Sequence, residues 1–130
     1  EFQQLTVIRQ MVRDLDINIG ILTHPTIREP DGLALSSRNQ YLTTAQRRLA
    51  PKLYAQMQHT IALINNGTDI TAAIDEAKDQ LQKAGFGKID YFDLRQPDDF
   101  QPCDKPTATS RVFVAIWLGS TRLIDNCAIG

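Results

Sequence analysis

The chain has 130 residues, a formal net charge of −1, 42% hydrophobic and 22% charged residues, the balance of a soluble globular protein. That balance gives no support to a nucleic-acid or anionic-membrane partner, either of which favours a basic face, and no apolar run reaches membrane-span length. Cys103 and Cys127 lack CxxC spacing, so neither a zinc site nor a disulfide framework is expected, and the cytosol is the expected compartment.

Leu5, Ile8, Val12 and Leu15 recur at steps of three and four and predict a helix over residues 2–15, its apolar stripe widened by Met11. Ile17 to Leu22 then reads as a short, buried strand. A helix feeding an apolar strand is one step of a parallel sheet, and one step cannot build a sheet. The chain also opens on Glu1 rather than Met, so residues 1–29 are expected to be the end of a doubly wound domain that begins before this sequence.

Pro25, Pro30 and Gly32 mark residues 23–40 as a long loop, and ordered loops of that length are usually functional. Thr43 and Gln46 form a capping box that opens a helix with Leu49, Leu53, Met57, Ile61 and Ile64 on its apolar side. Pro51 must restart or kink it. Asn65-Asn66-Gly67 ends this segment, and Thr68 or Asp69 caps a second helix bearing Ile70, Ile74, Ala77, Leu81 and Ala84, closed by Gly85. Strands follow at residues 89–94, 112–118 and 121–125, the last two joined by a Gly119-Ser120 primed turn. The expected fold class of residues 30–130 is therefore α+β, with a helix hairpin packed on a small antiparallel sheet.

The chemistry-bearing string is Asp31-Gly32-Leu33-Ala34-Leu35-Ser36-Ser37-Arg38-Asn39-Gln40-Tyr41-Leu42. Two adjacent hydroxyls and a guanidinium on a loop suit polyphosphate: hydroxyls donate to non-bridging oxygens, and the planar Arg fork holds charge that develops during group transfer. Ser, Arg and Asn are also common loop residues, so the triplet alone carries little weight. Its surroundings carry more. The pattern from Pro25 to Leu42, the opening Glu1-Phe2-Gln3-Gln4-Leu5 with Val7-Ile8-Arg9-Gln10, and the ending Ala115 to Gly119 with Arg122 to Asn126 together resemble the pantothenate synthetase family over nearly the whole chain.

That resemblance implies a C-terminal portion of a ligase that joins pantoate to β-alanine at the expense of ATP. The first step forms a pantoyl-adenylate and releases pyrophosphate; the amine of β-alanine then attacks the activated carbonyl and AMP leaves. It implies that Ser36, Ser37 and Arg38 bind the phosphates, with Arg38 stabilising charge, and that Leu35 and Ile27 sit at the nucleotide. Gln4 is implied as the pantoate ligand. Glu1 stands where the family usually has Asp, at the end of a nucleotide motif whose lysine precedes this sequence. Further implied are Mg²⁺ carried on ATP, residues 1–29 as the end of a Rossmann-like domain, residues 30–130 as a lid, and a homodimer for the full-length enzyme. The family's histidine motif belongs to the preceding domain. The runner-up reading is a non-catalytic interaction module whose Ser-Ser-Arg loop binds a phosphate or a peptide, and a third is a fragment of another adenylate-forming nucleotidyltransferase.

The remaining candidates have plainer explanations. His24 and His59 lack a partner carboxylate or nucleophile in the sequence pattern and read as structural or surface residues. Asp75-Glu76, Asp98-Asp99 and Arg47-Arg48 read as solvated surface, Arg122 as a surface cation without a target, and Trp117 as core.

Overall fold

In the computed structural model the described backbone covers residues 2–17 and 27–130, with side chains described for residues 5–14 and 27–130. Helix α1 runs Phe2–Ile17, a 3₁₀ turn occupies Ser37–Tyr41, and α2 (Thr44–Leu49), α3 (Lys52–Asn65) and α4 (Ile70–Ala84) follow. Strands β1 (Ile89–Arg95), β2 (Arg111–Leu118) and β3 (Thr121–Ala128) form an antiparallel sheet in the order β1-β2-β3. The α+β class and the helix hairpin on a small antiparallel sheet are as expected. The strand anticipated at Ile17 to Leu22 lies outside the described residues apart from Ile17, which ends α1; Glu1, His24 and the side chain of Gln4 lie outside them as well.

Pro51 restarts the helix. It has no N–H to give to α2, so α2 ends at Leu49 and α3 begins at Lys52, with Ala50 fully buried between them. Asp69 caps α4 by accepting from the Ala72 N–H at 3.1 Å, and Gly85 takes the positive φ that ends it. The β2–β3 turn has positive φ at Gly119 alone, the arrangement of a type II′ hairpin.

The sheet is covered on both faces, and its period-2 alternation decides which residue goes where. Phe92 and Leu94 of β1, Val112, Val114 and Ile116 of β2, and Leu123 and Cys127 of β3 pack against Leu53, Met57 and Ile61 of α3 and Ile74, Ala77 and Leu81 of α4. The opposite face carries Tyr91, Phe113, Ala115 and Ile124, and there α1 docks through Met11, with Val7 beside it. Full burial of a side chain such as Phe92 or Met57 contributes about 1.5–3 kcal/mol.

Helix α1 therefore uses a different stripe from the one its periodicity suggested. Val7, Met11 and Asp14 face the sheet, whereas Leu5 and Val12 remain 46% and 42% exposed. Trp117, expected in the core, is only partly buried. Arg122, expected as an untethered surface cation, is instead gripped from two sides. Its Nη1 and Nη2 donate to Asp14 at 2.7 and 3.2 Å and its Nε donates to Asp90 at 2.7 Å. A β-bulge between Ile89 and Tyr91 explains the reach of Asp90, because an extra residue there turns its carboxylate to the α1 side of the sheet. The Tyr91 hydroxyl also donates to Asp14. Burial first, then the adjacent Asp14 carboxylate, raise the Tyr91 phenol far above its ordinary value.

Candidate nucleotide-binding loop

Residues 27–35 form a miniature hairpin. The Glu29 and Leu35 N–H groups donate to the Leu33 and Ile27 carbonyls at 2.8 Å each, and Gly32 N–H closes the turn on Glu29 O at 2.9 Å. Gly32 is required there: its φ is +97°, and a Cβ would lie 2.6 Å from the Tyr54 ring. Leu33 is buried in the main core and holds the turn down.

Two ion pairs pin this hairpin. Arg28 donates Nη1 and Nη2 to Asp125 on β3 at 2.6 and 2.9 Å, donates Nη1 to Gly32 O at 3.1 Å, and lies 3.8 Å over the Tyr54 ring. Arg47 on α2 holds Asp31 at 2.7 and 3.3 Å. The first pair is sequestered, with Asp125 side-chain exposure of only 3%; the second is at the surface and contributes little to stability. Burial pushes the Asp125 carboxyl above the ordinary Asp value against the pull of Arg28. On Arg28, burial acts against the charge, but the Asp125 bond and its charge outweigh it, and the guanidinium stays firmly protonated.

Pinning Arg28 inward turns its neighbour outward. Ile27 and Leu35 are opposite one another in the hairpin and are 71% and 58% exposed, so two aliphatic side chains stand on the outer face. Ser36 and Ser37 are exposed and Arg38 is partly buried, immediately after this aliphatic pair. Ser36 caps the 3₁₀ turn by accepting from Arg38 N–H at 3.2 Å, which leaves its own proton to donate outward. Asn39 Nδ2 donates to Ala34 O at 3.0 Å and ties the turn back to the hairpin. Among the described residues no hydrogen bond or ion pair occupies the Ser37 hydroxyl or the Arg38 guanidinium. The structure thus brings Ile27, Leu35, Ser36, Ser37 and Arg38 onto one short loop, with apolar surface beside anion donors.

Of the residues given plainer explanations, His59 has a carboxylate neighbour that the sequence pattern did not show. His59 on α3 lies 3.6 Å from Glu76, both exposed. Asp99 Oδ1 accepts from Gln101 N–H at 3.0 Å in an exposed turn. Arg47 pairs with Asp31, and both cysteines are reduced. Among the described residues no group of three or more His, Cys, Asp or Glu is arranged to hold a metal ion. The pairing of Arg28 with Asp125 had no signal in the sequence, the two being 97 residues apart.

The family profile described as pantoate-beta-alanine ligase matches residues 1–128. The chain belongs to that family. It is 46% identical over 133 residues to a pantothenate synthetase of Caulobacter vibrioides, an alignment that takes in all of this chain and 47% of the relative. Its fold matches a crystal structure of pantothenate synthetase from Thermus thermophilus with a TM-score of 0.74 and 34% identity, over 95% of this chain and 45% of that one. A pantoate-beta-alanine ligase from Francisella tularensis, complexed with beta-gamma ATP and beta-alanine, matches at a TM-score of 0.54 and 32% identity, over 98% and 40% of the two chains. The chain spans about half the length of the curated relatives it matches.

Proposed function

We propose that this chain forms the C-terminal part of an ATP-dependent pantoate–β-alanine ligase and supplies one side of its nucleotide site. The observation that carries the reading is the loop itself: a pinned hairpin that turns Ile27 and Leu35 outward and leaves Ser37 and Arg38 unoccupied, in a chain of this family. The adenine lies against the aliphatic pair, Ser36 and Ser37 donate to phosphate oxygens, and Arg38 holds the charge that grows as the pantoate carboxylate attacks the α-phosphorus. That step forms the acyl–phosphate bond and breaks the bond to pyrophosphate. In the second step the β-alanine nitrogen attacks the acyl carbon, AMP departs, and the nitrogen loses a proton to form the amide.

Gln4 orients pantoate from α1, and Glu1 reaches the ribose. Mg²⁺ arrives on the ATP phosphates. Residues 1–29 complete a Rossmann-like domain contributed by the preceding part of the same protein, which brings the histidine and lysine groups of the site. Residues 30–130 act as a lid that keeps water from the hydrolysable adenylate. The full-length enzyme is a cytoplasmic homodimer.

Substituting Arg38→Ala in the full-length enzyme is the direct test. Losing one preorganised charge-stabilising group is expected to slow pantoyl-adenylate formation by ~10²-fold. The rate at which a preformed adenylate reacts with β-alanine should change far less. Equal slowing of both half-reactions would remove Arg38 from the phosphates.

A further inference from the structure

We infer that Arg28 and Asp125 are positioning residues for the nucleotide loop, so that the placement of the adenine platform is set by strand β3; this rests on the nucleotide reading above. Arg28 and Ile27 are adjacent in an extended hairpin arm, and their side chains leave it on opposite faces. Whatever fixes Arg28 therefore fixes the direction and height of Ile27 and, across the hairpin, of Leu35. Contacts to Asp125, Gly32 and Tyr54 fix it. The fork makes two short hydrogen bonds to Asp125, a third donor reaches Gly32 O at the hairpin tip, and the guanidinium plane rests on Tyr54 of α3. Asp125 is itself held, because one of its oxygens accepts the Asn126 N–H at 2.8 Å.

The outer ion pair cannot substitute. Asp31 and Arg47 join only the tip of the hairpin to α2 at the solvent-exposed surface, and Asn39 ties the second arm at Ala34, so neither contact reaches the arm bearing Ile27 as Arg28 does. Lys at position 28 would keep the charge but lose both the second bond to Asp125 and the stacked plane. The pair thus acts on nucleotide affinity, with no contact to the reacting atoms.

The test is steady-state and half-reaction kinetics on the full-length enzyme carrying Arg28→Ala, Arg28→Lys, Asp125→Asn or Arg38→Ala, with thermal midpoints measured in parallel. Misplacing a binding group by about 1 Å can cost up to ~10²-fold, so the expected result is a rise of roughly 10- to 100-fold in KM for ATP in Arg28→Ala and Asp125→Asn. KM for β-alanine and the second half-reaction should stay within about twofold, a split that a general loss of folding would not produce. Arg28→Lys is expected to fall between wild type and Arg28→Ala, and it carries the test if the alanine variant does not fold. An unchanged ATP KM in folded variants, or a uniform loss across all three substrates, would overturn the inference. Arg38→Ala separates the two levels: if it leaves adenylation intact, the nucleotide reading fails and this one with it. If Arg38→Ala slows adenylation while the Arg28 variants leave ATP untouched, only the positioning role fails.

Discussion

Cys127 sits where the loop's anchor meets the core, within 3.3 Å of Arg28 Nη2 and 3.8 Å of Gln58 Nε2. Burial, and after it the Asp125 charge, push its thiol up from 9.0 to about 11. A thiol whose folded value exceeds its unfolded one gives stability that is complete below the unfolded value and is lost as pH rises through the folded one. The window is therefore about pH 9 to 11, and the displacement corresponds to about 2–3 kcal/mol. Urea unfolding across that window, in reductant, should show wild type losing this much more stability than Cys127→Ala. Parallel losses in both proteins would mean that the thiolate is not penalised. Tyr91 acts in the same direction at alkaline pH, so only the difference between the two proteins isolates Cys127.

At the scale of the element, the described residues of α1 meet the sheet through buried Met11, with Val7 beside it, and through the Asp14 charge cluster. Removing Arg122 takes away the guanidinium that Asp14 and Asp90 share, with Lys88 still 3.7 Å from Asp90, and breaking a buried pair by deleting one partner costs up to about 3–5 kcal/mol. Arg122→Ala should release the helix before it disturbs the sheet. Hydrogen exchange would then show α1 amides losing protection while those of β2 and β3 keep theirs; joint loss would make helix and sheet one cooperative unit. Periodicity and capping made α3, α4 and the β2–β3 hairpin legible, because those signals are local: Asp69 and Gly85 bound one helix and Gly119 makes one turn. The docking face of α1 was not legible. Its stripe counts an aspartate, and Tyr91 and Arg122 meet that buried aspartate from 77 and 108 residues away. The hydroxyl and guanidinium donors of Ser36-Ser37-Arg38 were legible as residue types, but the triplet alone carried little weight. The aliphatic face beside it and the buried pair beneath it depend on tertiary pairing.

For the molecule as a whole, the proposed function gives this loop one side of a nucleotide site. The 130-residue chain alone is expected to form no measurable pantothenate from ATP, pantoate and β-alanine, because a site assembled from two domains loses its preorganisation when one is absent. Turnover by the chain, verified by mass, would place all the necessary groups within it. The same loop has a second consequence, for solubility. β3 is an outer strand of the sheet, and such a strand offers unpaired backbone groups to any neighbouring chain. The 3₁₀ turn lies against β3, and Arg28 reaches both Asp125 and the Asn126 carbonyl on it. The segment thereby covers part of a strand edge, so changes that loosen it are expected to make the protein more prone to aggregate.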